Sequence, residues 1–228
     1  SGEIEQHGAI TRPRVVMRTN AGTAHLEGFG SYENIIQAKG EIIDGVEDGG
    51  LVVLNRDDPA FDQWQARTGH RRVVSVSREG STDADYGVKA VQSQAPGQSF
   101  QVIGPDGWSC TVGLALAGEH NQTNAMLAIA AARELGADDH AIVAGLAPLA
   151  PVKGRLQHNE LAPGLTVIAD GYNAHPVSVM AAHSCAARQD GDGIAQSCVG
   201  PRPGRPPKAY DPAVGRFART EPGQRLPP

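Results

Sequence analysis

Short apolar runs that end in polar, turn-forming residues constrain the fold of this chain more than any other feature. LVVLN (Leu51–Asn55) is stopped by RDDP, and RRVVSVS (Arg71–Ser77) is a second run of this kind. Such runs are typical of buried strands in a parallel sheet. RPRVVMRTN (Arg12–Asn20) indicates another strand that ends in a polar loop, while YENIIQAKGEII (Tyr32–Ile43) repeats its apolar residues at helical spacing behind Ser31, a suitable N-cap. This alternation predicts an α/β fold with a mostly parallel sheet.

The pattern changes after Gly80. Three strand-like segments, YGVKAVQSQ, SFQVIG and SCTVGLALAG, follow one another closely, and the turn GPDG separates the last two, which predicts a small antiparallel patch. The remaining predicted elements are a helix over about Asn121–Leu135, a helix over Asp138–Leu146, a strand at LTVIAD (Leu165–Asp170) and a helix that begins at Pro176.

The chain divides by composition into three segments, with boundaries at about residues 148 and 183. The linker APLAPVKG, which contains two prolines, lies at the first boundary. The third segment contains eight of the 16 prolines, all between Pro201 and Pro228. Residues 184–228 show no apolar periodicity, and segments such as PRPGRPPK and TEPGQRLPP are expected to bury too little apolar surface to fold. Two interpretations stay open for this tail: a natural disordered segment, or out-of-frame translation of a GC-rich gene. The interruption of a helix near His183 favours the second.

Overall composition excludes several classes of protein. The 228 residues are 40% hydrophobic and carry a net charge of −5, which argues against a general nucleic-acid binder. No apolar run approaches the length of a membrane span, and the first residues lack a secretory-signal pattern. Three widely spaced cysteines, Cys110, Cys185 and Cys198, indicate reduced thiols. We therefore expect a cytoplasmic protein.

TNAGTAHLEGFGS (Thr19–Ser31) lies where a predicted parallel strand ends, which is where open α/β sheets bind ligands. His25 in this loop is either an exposed loop histidine or a site residue. Lys39 lies on the following helix among apolar residues. It either extends its amine to solvent or, if buried, becomes open to chemical modification.

Further candidates lie in the second half of the chain. Asn121 and Asn124 in GEHNQTN share a helix face, where they could read the edge of a heteroaromatic base, although Asn121 could simply cap the helix. Lys153 and Arg155 in VKGRLQ are either solvated linker cations or phosphate ligands. Asp170 ends a strand and could accept from a ribose hydroxyl or only stabilise the turn.

The order of these motifs identifies the chain as similar to the Mur ligase family. AHLEGFGS, AKGEI, LNRDDP, GEHNQTN, PVKGRLQ and ADGYNAHPVS occur in the family's order over roughly residues 2–183. Within the family, AKGEI and the last motif resemble the members that add D-alanyl-D-alanine. The resemblance implies that residues 1–148 form part of the central ATP-binding domain and that residues 149–183 begin a Rossmann-like C-terminal domain.

The resemblance also implies an activity and a set of site residues. The expected reaction is ATP-dependent ligation of D-alanyl-D-alanine to UDP-N-acetylmuramoyl-tripeptide through an acyl phosphate, in peptidoglycan precursor synthesis by a monomeric enzyme. His25 and Lys39, the latter carbamoylated, are the implied Mg²⁺ ligands, and both have implied catalytic roles together with Arg155. Asn121 and Asn124 would contact adenine, Arg155 the phosphates and Asp170 the ribose, while Tyr172 and Asn173 would line the cleft.

Departures from the family pattern lead to two further expectations. The phosphate-binding loop of the form Gly-x-x-Gly-Lys-Thr and the UDP-sugar domain are absent, and Ala169, Gly171 and His175 replace residues of the last motif. We therefore expect this chain alone to be inactive and, because its first sheet edge would be exposed, poorly soluble. The alternatives are a non-catalytic nucleotide-binding fragment and a related ligase such as a folylpolyglutamate synthase.

Overall fold

The computed structural model describes residues 2–22, 26–94, 97–162, 165–170 and 176–187. His25, Tyr172, Asn173 and the tail beyond residue 187 lie outside these ranges. The chain divides into two compact units. The first comprises Ser1–Ala115 and Glu119–Leu149, and the second comprises Leu116–Gly118 and Ala150–Pro228. The sequence-based boundaries at residues 148 and 183 stay predictions.

A six-stranded sheet forms the centre of the first unit, and its strands lie side by side in chain order. The strands are β1 (Val15–Arg18), β2 (Leu51–Asn55), β3 (Arg72–Ser77), β4 (Tyr86–Gln94), β5 (Gly97–Ile103) and β6 (Ser109–Leu114). The pairs from β1 to β4 are parallel, and the pairs β4–β5 and β5–β6 are antiparallel. The predicted α/β fold, with a mostly parallel sheet and a small antiparallel patch, is confirmed.

Helices connect and cover these strands. They are α1 (Glu3–Thr11), α2 (Leu26–Phe29), α3 (Tyr32–Asp44), α4 (Phe61–Arg67), α5 (Glu119–Glu134) and α6 (Asp139–Leu146), and a short 3-10 helix (Pro105–Gly107) precedes β6. The predicted cap of α3 is confirmed, because Ser31 Oγ accepts a hydrogen bond from the Asn34 amide. Helices α1, α2 and α4 were not predicted from the sequence, and α2 lies within Thr19–Ser31, which was expected to be a loop. None of the helices in the described part of the chain has the length and apolar character that a bilayer crossing requires.

The core lies on both sides of β2, whose five residues are all buried. On one side, Val16, Val52 and Leu54 pack with residues of α3 and α4, including Ile36, Ile43, Phe61 and Trp64. Helix α5 packs against β1 to β4 and buries Met126, Leu127 and Ile129. Burial on both faces explains why β2 is a continuous apolar run and not an alternating one.

The second unit contains an antiparallel pair and a helix. Strand β7 (Gln157–Ala162) pairs with β8 (Leu165–Ala169), and α7 (Pro176–Ala187) begins at the predicted proline. Strand β8 matches a strand predicted from the sequence, whereas β7 was not predicted. Helix α7 continues four residues beyond His183, the point at which the sequence pattern fails.

Candidate functional site

The loop that leaves β1 is held by side chains from the end of β2. Asn55, the last residue of β2, donates from Nδ2 to the Thr19 carbonyl at 3.0 Å. Asp58 accepts a hydrogen bond at 3.0 Å from the Ala21 amide with one carboxylate oxygen, and at 2.8 Å from the Ala60 amide with the other. Asp58 is buried, with 8% of its surface exposed. Each of its carboxylate oxygens thus accepts from one backbone amide, one in the loop after β1 and one in the turn after β2.

Asp57, the neighbour of Asp58, holds the end of β3 in the same manner. Its carboxylate accepts from Ser77 Oγ at 2.5 Å, from the Arg78 amide at 2.7 Å and from the Glu79 amide at 3.2 Å. The RDDP turn therefore ties together the carboxyl ends of three parallel strands. This edge of a parallel sheet is where ligands bind in open α/β folds.

Lys39, on α3, directs its amine to this loop. Nζ donates to the Ala21 carbonyl at 2.5 Å and to the Asn20 carbonyl at 3.3 Å. Burial lowers the pKa of Lys39, and the positive charge of Arg18 lowers it further, while Asp58 opposes both effects. The amine is therefore half-buried and hydrogen-bonded at the sheet edge and does not extend freely into solvent.

Arg18, the last residue of β1, is a further candidate site residue that no sequence motif singles out. It pairs in register with Leu54, so its side chain lies on the sheet face that α3 and α4 cover. Its guanidinium carbon lies 4.9 Å from the centre of the Trp64 ring. Its Nε is buried and has no hydrogen-bond partner among the residues that the structure describes. Burial lowers the pKa of Arg18, and the nearby Asp58 carboxylate counteracts this. The sequence feature that could have identified Arg18 is the presence of an arginine at the end of an otherwise apolar strand.

The described residues supply only part of a Mg²⁺ site. They contain no cluster of three or more His, Cys, Asp or Glu side chains that could hold a metal. The carbonyls of Asn20 and Ala21 are oxygen ligands of the kind that Mg²⁺ prefers, but Lys39 occupies them as a donor. A carbamate on Lys39 would replace this cation with two carboxylate-like oxygens. The donor set therefore fits Mg²⁺ only if Lys39 is carbamoylated, and the roles predicted for His25 and Lys39 stay predictions.

The structure brings Asn121 and Asn124 together at the start of α5. Asn121 is the third residue of the helix, so the alternative that it caps the helix is wrong. Asn124 Nδ2 lies 3.5 Å from Asn121 Oδ1, and Asn124 is exposed. Beside them, Gln122 is buried and donates to Gln98 Oε1 at 2.6 Å. This buried amide pair anchors α5 to β5, while the spacing of three residues places Asn121 and Asn124 on the same side of the helix.

Arg155 and Asp170 belong to the second unit. Arg155 lies before β7 and its side chain is exposed, as is that of Lys153. Asp170 follows β8 and accepts from the Leu156 amide at 3.2 Å. Asp170 therefore stabilises the backbone next to Arg155, and the phosphate and ribose roles of the two residues stay predictions.

Comparisons with known proteins point to one family. The Mur ligase middle domain matches residues 1–132. The UDP-N-acetylmuramoyl-tripeptide–D-alanyl-D-alanine ligase of Escherichia coli K12 is 37% identical over 190 residues, which cover 83% of this chain and 42% of that protein. The chain thus spans less than half the length of this relative.

Solved structures give the same result. A MurF from Acinetobacter baumannii superposes with a TM-score of 0.78 at 32% identity, covering 85% of this chain and 42% of that one. The MurF ligase of Thermotoga maritima in complex with ADP gives a TM-score of 0.73 at 27% identity, covering 85% of this chain and 43% of the other.

Proposed function

The chain belongs to the Mur ligase family, and from this premise we propose that it is the nucleotide-binding part of an ATP-dependent ligase that adds D-alanyl-D-alanine to UDP-N-acetylmuramoyl-tripeptide. Its place would be in the synthesis of peptidoglycan precursors. The relatives that share 37% and 32% identity with it carry this activity or the corresponding enzyme name.

The observation that carries the proposal is the position of Lys39. Its amine is hydrogen-bonded to the carbonyls of Asn20 and Ala21, at the sheet edge that Asp58 organises. A lysine whose pKa is lowered by burial holds a larger fraction of neutral, nucleophilic amine than an exposed one. This is the form that can react with CO₂, as the family resemblance implies for Lys39.

The proposed reaction has two steps. The tripeptide carboxylate attacks the γ-phosphorus of ATP, so that an acyl phosphate forms and ADP leaves. The amine of D-alanyl-D-alanine then attacks the acyl carbon, and the tetrahedral intermediate collapses to the amide with loss of phosphate and a proton. Both steps depend on positioning and on the neutralisation of charge on the phosphate oxygens. Mg²⁺, when bound by carbamoylated Lys39 and His25, would supply part of that neutralisation.

The remaining candidate residues would bind the nucleotide. Asn121 and Asn124 present two amides at the start of α5, and an amide can donate to and accept from the edge of adenine at the same time. Arg155 would bind phosphate oxygens through its forked donors, and Asp170 would accept from a ribose hydroxyl.

Nucleotide binding tests the first half of the proposal. Isothermal titration calorimetry with ADP and Mg²⁺ should detect binding, and Asn124→Ala should weaken it by about fivefold or more, since one hydrogen bond contributes roughly 1 kcal/mol. The matched control is Gln101→Ala, which removes an amide that bonds Ser109 in the antiparallel strands and should leave the affinity unchanged. Equal affinities for the three proteins would contradict the adenine role.

Ligation tests the second half. In a chimera, the matched segment of this chain replaces its counterpart in the E. coli ligase, and phosphate release is measured. Release that requires both UDP-N-acetylmuramoyl-tripeptide and D-alanyl-D-alanine is the expected result. A soluble chimera that binds ADP but releases no phosphate would favour the alternative of a non-catalytic nucleotide-binding module.

A further inference from the structure

Arg18 is a cation in an apolar layer. It is the last residue of β1 and lies on the sheet face where Val16, Val52 and Leu54 pack against α3 and α4. The ring of Trp64, itself 1% exposed, lies under its guanidinium. A charged group in such a layer is normally paired, because its desolvation is costly.

The pairing of Arg18 is incomplete among the residues that the structure describes. Its Nε–H is buried without an acceptor. The nearby carboxylate, Asp58, already accepts from two backbone amides, those of Ala21 and Ala60. Lys39 is a second cation close by, because its Nζ donates to the carbonyls of Asn20 and Ala21 in the loop that directly follows Arg18. Among the described residues, these two cations therefore share the Asp58 carboxylate, which already accepts two hydrogen bonds, so a further negative charge here would improve the local charge balance.

We propose that Arg18 is a positioning residue for Lys39, the internal counter-cation that holds the carbamate form of that side chain. The inference rests on the proposed function, because it takes the carbamoylation of Lys39 from it. Arg18 touches no substrate in this scheme. It acts by turning a repulsion between two cations into an attraction between a guanidinium and a carboxylate-like group.

The chemical step requires only CO₂. The lone pair of the neutral Nζ forms a bond to the carbon of CO₂, one C–O π pair moves to oxygen, and Nζ releases a proton to water. The product, an N-carboxylated lysine, carries one negative charge. Arginine suits this partner since its forked donors can bind two carboxylate oxygens at once.

The test is ¹³C NMR of the full chain in ¹³C-bicarbonate buffer, which detects the carbamate without any enzymatic assay. A carbamate resonance should be present in the unsubstituted chain and absent from Lys39→Gln, which assigns it. Arg18→Met should lower the carbamate fraction about tenfold, comparable to the effect of one nearby opposite charge on a carboxylate's proton affinity. Arg18→Lys, which keeps the charge, should retain most of the signal.

A matched control separates the role of Arg18 from that of any arginine on β1. Arg14, an exposed residue immediately before the strand, lies at the opposite end from the site, and Arg14→Met should leave the resonance unchanged. Near-ultraviolet circular dichroism of each variant reports whether it is folded. If Arg18→Met does not fold, Arg18→Gln and Arg18→Lys, which are both polar and differ in charge, replace it in the comparison.

Each outcome is decisive. An undiminished carbamate in folded Arg18→Met or Arg18→Gln would overturn the inference and leave the proposed function standing. No carbamate in the unsubstituted chain would overturn the inference together with the proposed role of Lys39. A carbamate that depends on Arg18, in a protein whose chimera releases no phosphate, would support the inference while contradicting the proposed ligase activity.

Discussion

Asp58 and Ala21 are 37 residues apart in sequence, yet the Ala21 amide donates a 3.0 Å hydrogen bond to the Asp58 carboxylate. The carbonyl of the same alanine accepts from Lys39. Ala21 is thus hydrogen-bonded both to the turn after β2 and to the amine on α3, so a shift of the turn would also shift the acceptor of the amine. The geometry around Lys39 therefore depends on a carboxylate that does not touch it directly.

Removal of the Asp58 carboxylate should destabilise the first unit. Asp58→Ala leaves the Ala21 and Ala60 amides without their acceptor, and we expect a loss of about 2–3 kcal/mol in the free energy of unfolding. Urea titration followed by circular dichroism measures it. Asp62→Ala is the control, since Asp62 is exposed and its 3.8 Å ion pair with Arg56 contributes little. Similar losses in both variants would contradict the anchoring role of Asp58.

Substitution of Gly22 should disturb the lysine as well as the backbone. Gly22 has φ of +61°, and a Cβ there would lie 3.0 Å from Asn20 Oδ1 and 4.0 Å from Lys39 Nζ. Gly69 has nearly the same φ, +62°, but lies away from the site. Both Gly→Ala variants should lose about 1 kcal/mol through backbone strain. Only Gly22→Ala should alter the reactivity of Lys39 towards an amine reagent, and an equal effect of Gly69→Ala would refute this explanation.

The pH dependence of amine labelling should distinguish Lys39 from other lysines. Its pKa is lowered from the usual 10.5, so its neutral, reactive form appears at lower pH. In CO₂-free buffer, acetic anhydride labelling followed by peptide mass spectrometry should therefore give Lys39 a midpoint below 10.5. Exposed Lys89 on β4 serves as the internal reference. The same shift implies that protonated Lys39 costs the folded state free energy below its native pKa, a cost that disappears as the pH rises to 10.5. A midpoint at or above 10.5 would contradict the lowering of the Lys39 pKa by burial.

The buried amide pair Gln98–Gln122 should contribute measurably to stability. Gln122→Met removes the donor of a 2.6 Å hydrogen bond between two side chains that are 6% and 4% exposed. We expect a loss of about 1–2 kcal/mol in the free energy of unfolding. A double-mutant cycle with Gln98→Met should give a coupling energy of at least about 0.5 kcal/mol. Gln101→Met on the same strand, where the amide is less buried, is the control and should cost little.

The strands of the parallel sheet could be predicted because their local and tertiary preferences agree. LVVLN is apolar, β-branched and buried on both faces, so composition alone identifies it. Helix α4 escaped prediction because it has only seven residues and because its packing depends on Phe61 and Trp64, two aromatic residues without a longer periodic pattern. Strand β7 was not predicted because QHNELA is polar and lacks the apolar pattern by which a strand such as its partner β8 is identified.

The candidate site could be predicted only in part for a similar reason. Lys39 could be identified as a candidate because it is a lysine among isoleucines. The acceptors of its amine could not be predicted, because they are backbone carbonyls, which every residue has. The role of the RDDP turn and the burial of Arg18 depend on the register between β1 and β2. Register is a property of paired strands and cannot be read from either strand alone.

Adjacent carboxylates in the RDDP turn serve different strands, Asp57 the end of β3 and Asp58 the loop after β1. This arrangement makes the length of the turn as important as its composition. Inserting or deleting a single residue between Asn55 and Pro59 would change the spacing of both carboxylates from β2, and both neighbouring loops would lose their anchors together. Natural insertions and deletions should therefore occur in other surface loops, while the RDDP turn keeps its four residues.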